Sequence, residues 1–170
     1  IVGYRKPGDL SRCLLDVCAA TDLALRNGAE RFALLGHSFG GAVAVQGAGT
    51  FPVQTAGVVT FATQSAGCEE AGRMGDVPLL LLHGERDSIL GPENSMMVQA
   101  LAGHGEVRRG VSAVSATGRR GDGEGSTRRP RSRTHIACSR SMRERDEGGV
   151  IRRPETNGEE QVAAMAEKLA

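Results

Sequence analysis

The first hundred residues alternate between amphipathic and continuous apolar stretches. Residues 10–27 repeat apolar positions at helical spacing, with Val17 and Thr21 on one face. Asp9 precedes them as a capping residue, and Gly28 follows as a stop signal. Residues 39–49 are small and apolar, and residues 92–102 begin with a proline. The pattern predicts three helices over these ranges.

Three short apolar runs lie between these helices, at residues 31–36, 57–62 and 77–83. Continuous apolar runs of this length are typical of parallel strands buried on both faces. Strands that alternate with helices form right-handed units around a parallel sheet. The sequence therefore predicts the α/β fold class, with a parallel sheet flanked by helices. Residues 106–114 are a weaker strand candidate because two adjacent arginines interrupt them.

The composition changes after residue 104. Residues 105–154 contain 13 of the 19 arginines and six acids, a formal charge of 13 − 6 = +7. Such a stretch buries too little apolar surface to offset its ordering entropy. We therefore predict a partial domain over residues 1–104 and a disordered region over 105–154. A short helix at residues 159–170 is expected within the last segment, 155–170. A change of reading frame is an alternative explanation for the arginine-rich region.

Composition and charge exclude several functional classes. No apolar run reaches the roughly 20 residues of a membrane span. The four cysteines include no Cys-x-x-Cys pair, so they are interpreted as reduced thiols rather than as a disulfide or zinc framework. The arginine-rich region has no aromatic residues that could stack on bases, which argues against specific nucleic-acid binding. With no secretion signal visible, we expect a cytoplasmic protein without a membrane partner.

The candidate chemistry begins at Gly36-His37-Ser38-Phe39-Gly40, between a predicted strand and a predicted helix. A sharp turn of this kind lifts the serine side chain out of the end of the sheet. Glycines two residues on either side leave room for the neighbouring backbone. The start of the helix favours a developing oxyanion, and the backbone N–H of Phe39 is the first donor. A glycine-rich helix entry with an incidental serine is the alternative interpretation.

A second candidate follows the third predicted strand, in the sequence His83-Gly84-Glu85-Arg86-Asp87. An acid at the carboxyl end of a neighbouring strand can orient an imidazole beside the serine. Asp87 is the residue in that position. The alternative interpretation is an aspartate that caps the next helix.

Together, GHSFGGAVA and VPLLLLHGERDSILGPENS resemble the α/β-hydrolase superfamily, in its small serine-esterase or dienelactone-hydrolase-like branch. The resemblance covers roughly residues 1–103 and implies hydrolysis of a small-molecule ester or thioester without a cofactor. It makes Ser38 the nucleophile, Asp87 the acid and the Phe39 N–H one oxyanion donor. It leaves His37 and His83 outside the role of base.

Two features depart from the family pattern. The family has earlier strands before the first helix seen here, so the resemblance implies truncation at the N-terminus and an open sheet edge. That edge is a candidate surface for dimerisation. The family histidine follows the acid by roughly 25 to 30 residues, whereas His104 follows Asp87 by 17 and His135 by 48. His104 is the predicted base and His135 the alternative; with neither in use, the chain is a non-catalytic pseudo-hydrolase or a partner-binding fragment.

Overall fold

The computed structural model describes residues 1–110 and 134–139. The described helices are α1 (Leu10–Arg26), α2 (Phe39–Thr50) and α3 (Glu93–Ala102), with a 3₁₀ helix at Ala71–Met74. The described strands are β1 (Arg31–His37), β2 (Thr55–Phe61), β3 (Leu79–Gly84), β4 (Glu106–Gly110) and β5 (Thr134–Ser139). The three predicted helices and the three predicted apolar strands are confirmed, each within about two residues of its expected bounds.

Helix α1 begins and ends where its local sequence predicts. The Asp9 carboxylate accepts a hydrogen bond from the Arg12 N–H at 3.2 Å, which satisfies one unpaired donor of the first turn. After the helix, Gly28 has a positive φ of 87°, a conformation in which a side chain would be strained. Val17 and Thr21 are fully buried on the predicted inner face.

The sheet has five strands in the order β4-β3-β2-β1-β5. Strands β1 to β4 are parallel to one another, as predicted, whereas β5 is antiparallel to β1. The sheet is therefore mixed. β5 lies against β1, and its pairing runs from Arg31↔Ser139 to Gly36↔Thr134. β5 and β4 are the two edge strands of the described sheet.

The sheet also continues past residue 104, where the sequence suggested a domain boundary. β4 confirms the weak strand candidate over part of its length, and β5 lies inside the region predicted to be disordered. The rest of that region, and the helix predicted at residues 159–170, lie outside the described residues.

All three helices pack on one face of the sheet. Strands β1 to β4 advance across the sheet in a single direction, so right-handed connections bring α2 and α3 to the same side, and α1 packs against α2 there. The main core on that face contains Val17 of α1, Val43 of α2 and Val98 of α3. Alternate strand residues point to the other face, where Leu35 and Val59 belong to a smaller apolar cluster. The strand ends that carry the candidate residues are thus held by a packed core.

Candidate functional site

Ser38 lies at a sharp turn between β1 and α2. Its φ of 54° and ψ of −121° fall in the left-handed half of backbone space, which a non-glycine residue rarely adopts. The Ser38 N–H donates to the Phe61 carbonyl at 2.9 Å and so continues the pairing of β1 with β2. The side chain is half-buried at the end of the sheet. This is the strand–turn–helix conformation that the sequence predicts for a nucleophilic serine.

Glycines allow this turn because the chain packs closely against backbone at Gly36 and against the Thr63 side chain at Gly41. A Cβ atom on Gly36 would lie 2.0 Å from the Gly40 carbonyl oxygen and 2.6 Å from the Gly41 nitrogen. A Cβ atom on Gly41 would lie 2.3 Å from the Thr63 hydroxyl oxygen, in the loop after β2. Neither position has room for a larger residue. The first turn of α2 is therefore wedged between the end of β1 and the β2 loop.

The start of α2 presents backbone donors near Ser38. Ser38 occupies the position before the helix, yet its side chain makes no capping hydrogen bond. The Phe39 N–H belongs to the first residue of the helix, where amide groups lack acceptors within the helix. These groups and the positive end of the helix dipole favour negative charge beside Ser38. The geometry fits the predicted role of the Phe39 N–H as an oxyanion donor.

Asp87 lies three residues past β3, at the same edge of the sheet as Ser38. Its Oδ1 accepts hydrogen bonds from the Ile89 N–H at 2.9 Å and the Leu90 N–H at 3.0 Å. Burial, the largest single influence, raises the pKa of Asp87, but these two N–H groups and the electrostatic influence of the nearby His83 and His37 together outweigh it, and the net pKa is lowered. The carboxylate is thus ionised at neutral pH and oriented by its own loop.

His83 is buried, and both of its ring nitrogens are engaged. Nε2 lies 2.8 Å from the Leu90 carbonyl oxygen, which can only accept, so Nε2 carries the proton. Nδ1 then accepts from the Ser95 hydroxyl at 2.6 Å. The ring ties the end of β3 to the loop after Asp87 and to α3. This structural role agrees with the expectation that His83 is not the base.

The structure does not bring His104 together with Ser38 and Asp87. His104 lies two residues before β4, whose first residue Glu106 pairs with Leu80 near the start of β3. Ser38 follows the last residue of β1, at the opposite edge of the same parallel strands. Strands of five to seven residues, at roughly 3.3 Å a residue, separate the two edges by about 15–20 Å. The assignment of His104 as base is therefore corrected.

The Nε2 atom of His104 is nevertheless unusual. It is buried and has no hydrogen-bond partner among the residues that the structure describes. The glycines on either side gave His104 its resemblance to the family histidine, but Gly103 and Gly105 both have positive φ and form the turn from α3 into β4. The glycines beside His104 are therefore explained by this turn and need no catalytic role for the histidine.

His37 and His135 lie on the same face of the sheet, near the Ser38 edge. His135 of β5 pairs with Leu35 of β1, and His37 is two residues beyond Leu35. Residues related in this way are diagonal neighbours, about 7–8 Å apart between Cα atoms. Both side chains are exposed. Of the four histidines in the chain, these two are close to the serine along the sheet.

Sequence reasoning did not find two residues next to the turn. Thr134, at the start of β5, is fully buried and donates a hydrogen bond to the Gly40 carbonyl at 3.1 Å. The Tyr4 hydroxyl is hydrogen-bonded to Thr134, and the Tyr4 ring meets the Phe39 ring edge-on at 6.3 Å. The residues are 130 positions apart in the sequence, and no motif announces either of them.

No part of the described chain offers an evident metal or membrane site. Within residues 1–110 and 134–139, no group of three His, Cys, Asp or Glu side chains is placed to hold a metal ion. None of the described helices has the length and apolar character needed to cross a membrane.

The described structure is similar to solved hydrolases. One is the predicted CIB-like hydrolase from Thermoplasma acidophilum, at a TM-score of 0.51 and 18% identity over 60% of this chain and 48% of that one. The esterase domain from a Rhodothermus marinus protein has a TM-score of 0.48 and 23% identity over 56% of each chain. The α/β-hydrolase MGS-MChE2, from the metagenome of lagoon sediments at Mar Chica, Morocco, has a TM-score of 0.48 and 17% identity over 62% of each chain.

These similarities concern the fold. No protein-family model and no curated protein matches the sequence. The chain spans about half to three fifths of the length of the solved structures that it matches. The described residues therefore have the α/β-hydrolase fold, over part of its usual extent.

Proposed function

We propose that the chain is a serine hydrolase that acts on the ester or thioester carbonyl of a small molecule. The observation that carries the proposal is the conformation of Ser38. A serine held at a φ of 54° between a buried strand and a helix start needs two glycine positions that tolerate no side chain. Backbone strain of this kind persists where surrounding structure enforces it and is concentrated at functional sites.

In the proposed reaction, the Ser38 Oγ attacks the carbonyl carbon while a histidine takes its proton. The carbonyl oxygen becomes an oxyanion and receives a hydrogen bond from the Phe39 N–H. Collapse of the intermediate expels the alcohol or thiol, which takes up the proton from the histidine. Water then hydrolyses the acyl-serine by the same route. No step needs an oxidant, a reductant or a metal ion.

Asp87 is proposed as the acid that stabilises the protonated histidine. Support comes from its lowered pKa and its position at the edge where β1 and β3 both end. His37 and His135 are the candidates for the base, because His83 has both nitrogens engaged and His104 lies at the other edge. His37 is included although the family resemblance leaves it outside this role, because its electrostatic influence reaches Asp87 and contributes to lowering the Asp87 pKa.

The second candidate function is a non-catalytic protein with a hydrolase fold. It is favoured by one observation: residues 111–133, which follow β4, contain no histidine. An unactivated serine has a pKa far above neutrality and is a poor nucleophile. The fold would then serve binding alone.

Labelling of the purified chain with a fluorophosphonate tests the two functions. We expect the wild type to be labelled and to hydrolyse p-nitrophenyl acetate, and Ser38→Ala to do neither. Circular dichroism shows whether both proteins are folded. If folded wild type and folded Ser38→Ala are equally inert, the hydrolase proposal is wrong and the non-catalytic function stands.

A further inference from the structure

A continuous series of hydrogen bonds links Tyr4 to the peptide group of Phe39. The Tyr4 hydroxyl contacts the Thr134 hydroxyl, and the Thr134 hydroxyl donates to the Gly40 carbonyl at 3.1 Å. That carbonyl shares its peptide group with the Gly41 N–H. The Gly41 N–H donates to the Ser38 carbonyl at 2.9 Å, and the Ser38 carbonyl shares its peptide group with the Phe39 N–H.

The direction of each bond in this series follows from simple chemistry. The Gly40 carbonyl has no proton to give, so the single proton of the Thr134 hydroxyl is used there. Thr134 must then accept from Tyr4, which donates its phenolic proton. Every group from Tyr4 onward therefore donates toward the Ser38–Phe39 peptide group, and the N–H of that peptide group is the last donor of the series.

Donors and acceptors aligned in this way polarise one another. A peptide carbonyl that accepts a hydrogen bond draws electron density toward its oxygen, and its own N–H becomes a stronger donor. Here the effect passes through two peptide groups, Gly40–Gly41 and Ser38–Phe39. The low-dielectric surroundings of the fully buried Thr134 strengthen it further.

We propose that Tyr4 and Thr134 are positioning residues of the oxyanion site, which orient and polarise the Phe39 N–H through these two peptide groups. The inference rests on the proposed hydrolase function, since it assigns the Phe39 N–H to the oxyanion. It gives β5 and the N-terminal segment a role in the chemistry of the site as well as in the sheet.

Three further contacts hold the ends of the series in place. The Val2 N–H donates to the Thr134 carbonyl at 2.9 Å, and Thr134 pairs with Gly36 across the β1–β5 ladder. The Tyr4 ring packs edge-on against the Phe39 ring with the planes at 87°. Tyr4 thus reaches the residue that carries the oxyanion donor by two routes, one through its ring and one through its hydroxyl.

Nuclear magnetic resonance of the free protein tests the polarisation without any need for activity. In Thr134→Val, which keeps the shape of the side chain and removes the hydroxyl, we expect the amide protons of Gly41 and Phe39 to move upfield. Thr134→Ser, which keeps the hydroxyl, should leave them near their wild-type positions. Thr21→Val is the matched control, because the buried Thr21 hydroxyl has no hydrogen-bond partner among the described residues. Unmoved amide protons in Thr134→Val, or equal movement in Thr21→Val, overturn the proposal.

Steady-state kinetics of the same variants test the catalytic consequence. With p-nitrophenyl acetate we expect kcat to fall roughly threefold to tenfold in Thr134→Val, with KM unchanged, since the loss is confined to the transition state. Thr134→Ser should recover most of the loss. Tyr4→Phe keeps the ring contact and should show a smaller fall in kcat, and it carries the test if Thr134→Val does not fold.

The outcomes separate this inference from the proposed function. A folded wild type without Ser38-dependent hydrolysis overturns the proposed function and, with it, the catalytic role of the two residues. An active wild type whose folded Thr134→Val and Tyr4→Phe variants keep their kcat overturns the inference alone.

Discussion

Gly36 and Gly40 approach so closely that a Cβ atom on Gly36 would lie 2.0 Å from the Gly40 carbonyl oxygen. The contact joins the last part of β1 to the first turn of α2, on either side of Ser38. Because both partners are backbone, neither can turn aside as a side chain would. The strained conformation of Ser38 thus lies between two main-chain segments that pack directly against each other.

Replacing Gly36 with alanine should therefore prevent normal folding of the turn. We expect Gly36→Ala to lower the free energy of unfolding by more than about 3 kcal/mol, because the new methyl group has no space and no flexible neighbour to displace. Gly3→Ala is the matched control, since a Cβ atom there meets nothing within 4 Å. Urea unfolding followed by circular dichroism measures both. Equal stability of the two variants would contradict the observed contact.

The charge of Asp87 can be removed without removing the hydrogen bonds that its side chain accepts. Asparagine keeps an oxygen that can accept from the Ile89 and Leu90 N–H groups. We expect Asp87→Asn to retain the unfolding free energy within about 0.5 kcal/mol. Its kcat for p-nitrophenyl acetate should nevertheless fall by roughly 10²–10⁴, because the protonated base loses its counter-charge.

Two other variants serve as comparisons for Asp87→Asn. Asp87→Ala should lose the same activity and also about 1 kcal/mol of stability, since the two N–H groups lose their acceptor. Asp76→Asn changes an exposed aspartate before β3, at the other edge of the sheet, and should alter neither quantity. Wild-type kcat in folded Asp87→Asn would remove Asp87 from the proposed mechanism.

The sheet topology makes a sharp prediction about the histidines. In the double variant His37→Gln/His135→Gln, kcat should fall by a factor of about 10²–10⁴, which is the usual contribution of a general base. The two single variants then show which of the two imidazoles is the base. His104→Gln should keep wild-type activity because His104 lies at the opposite edge of the sheet. Fluorophosphonate labelling rates provide the measurement. Loss of labelling in His104→Gln alone would contradict the topology.

The elements up to residue 104 are predictable because their signals are local. The Asp9 cap, the apolar run of β1 and the small residues of α2 each specify their structure within a few positions. Ser38 and Asp87 are candidates for the same reason, since each follows a strand end that the local sequence predicts. β5 was missed because it is a strand of only six residues with arginines around it in the sequence. It is a strand because it pairs with β1, and that partner is distant in the sequence.

The spacing of residues along the chain does not predict which sheet edge a residue occupies, because that depends on the topology of the sheet. His104 has suitable neighbours and follows Asp87, but a parallel strand that begins after it places it at the wrong edge. Thr134 reaches the turn through a hydrogen bond to Gly40, 94 residues away in the sequence, and its hydrogen bond to Tyr4 spans 130 residues. No local pattern encodes such a contact, so the parts of the site contributed by β5 emerge only from the structure.

Tyr4 provides a direct probe of the β5 side of the site, because it is the only tyrosine and the chain has no tryptophan. Desolvation by burial raises the pKa of Tyr4 from 10.0 to about 12. The neutral phenol is thus favoured in the folded state, so its contribution to stability is complete below pH 10 and is lost as the pH rises from 10 to about 12. We expect the tyrosinate absorbance of the folded protein to titrate near pH 12, and near 10 in denaturant. The unfolding free energy should decline less steeply over this range in Tyr4→Phe. A midpoint near 10 in the folded protein would show that the Tyr4 phenol is solvated and would contradict its burial beside β5.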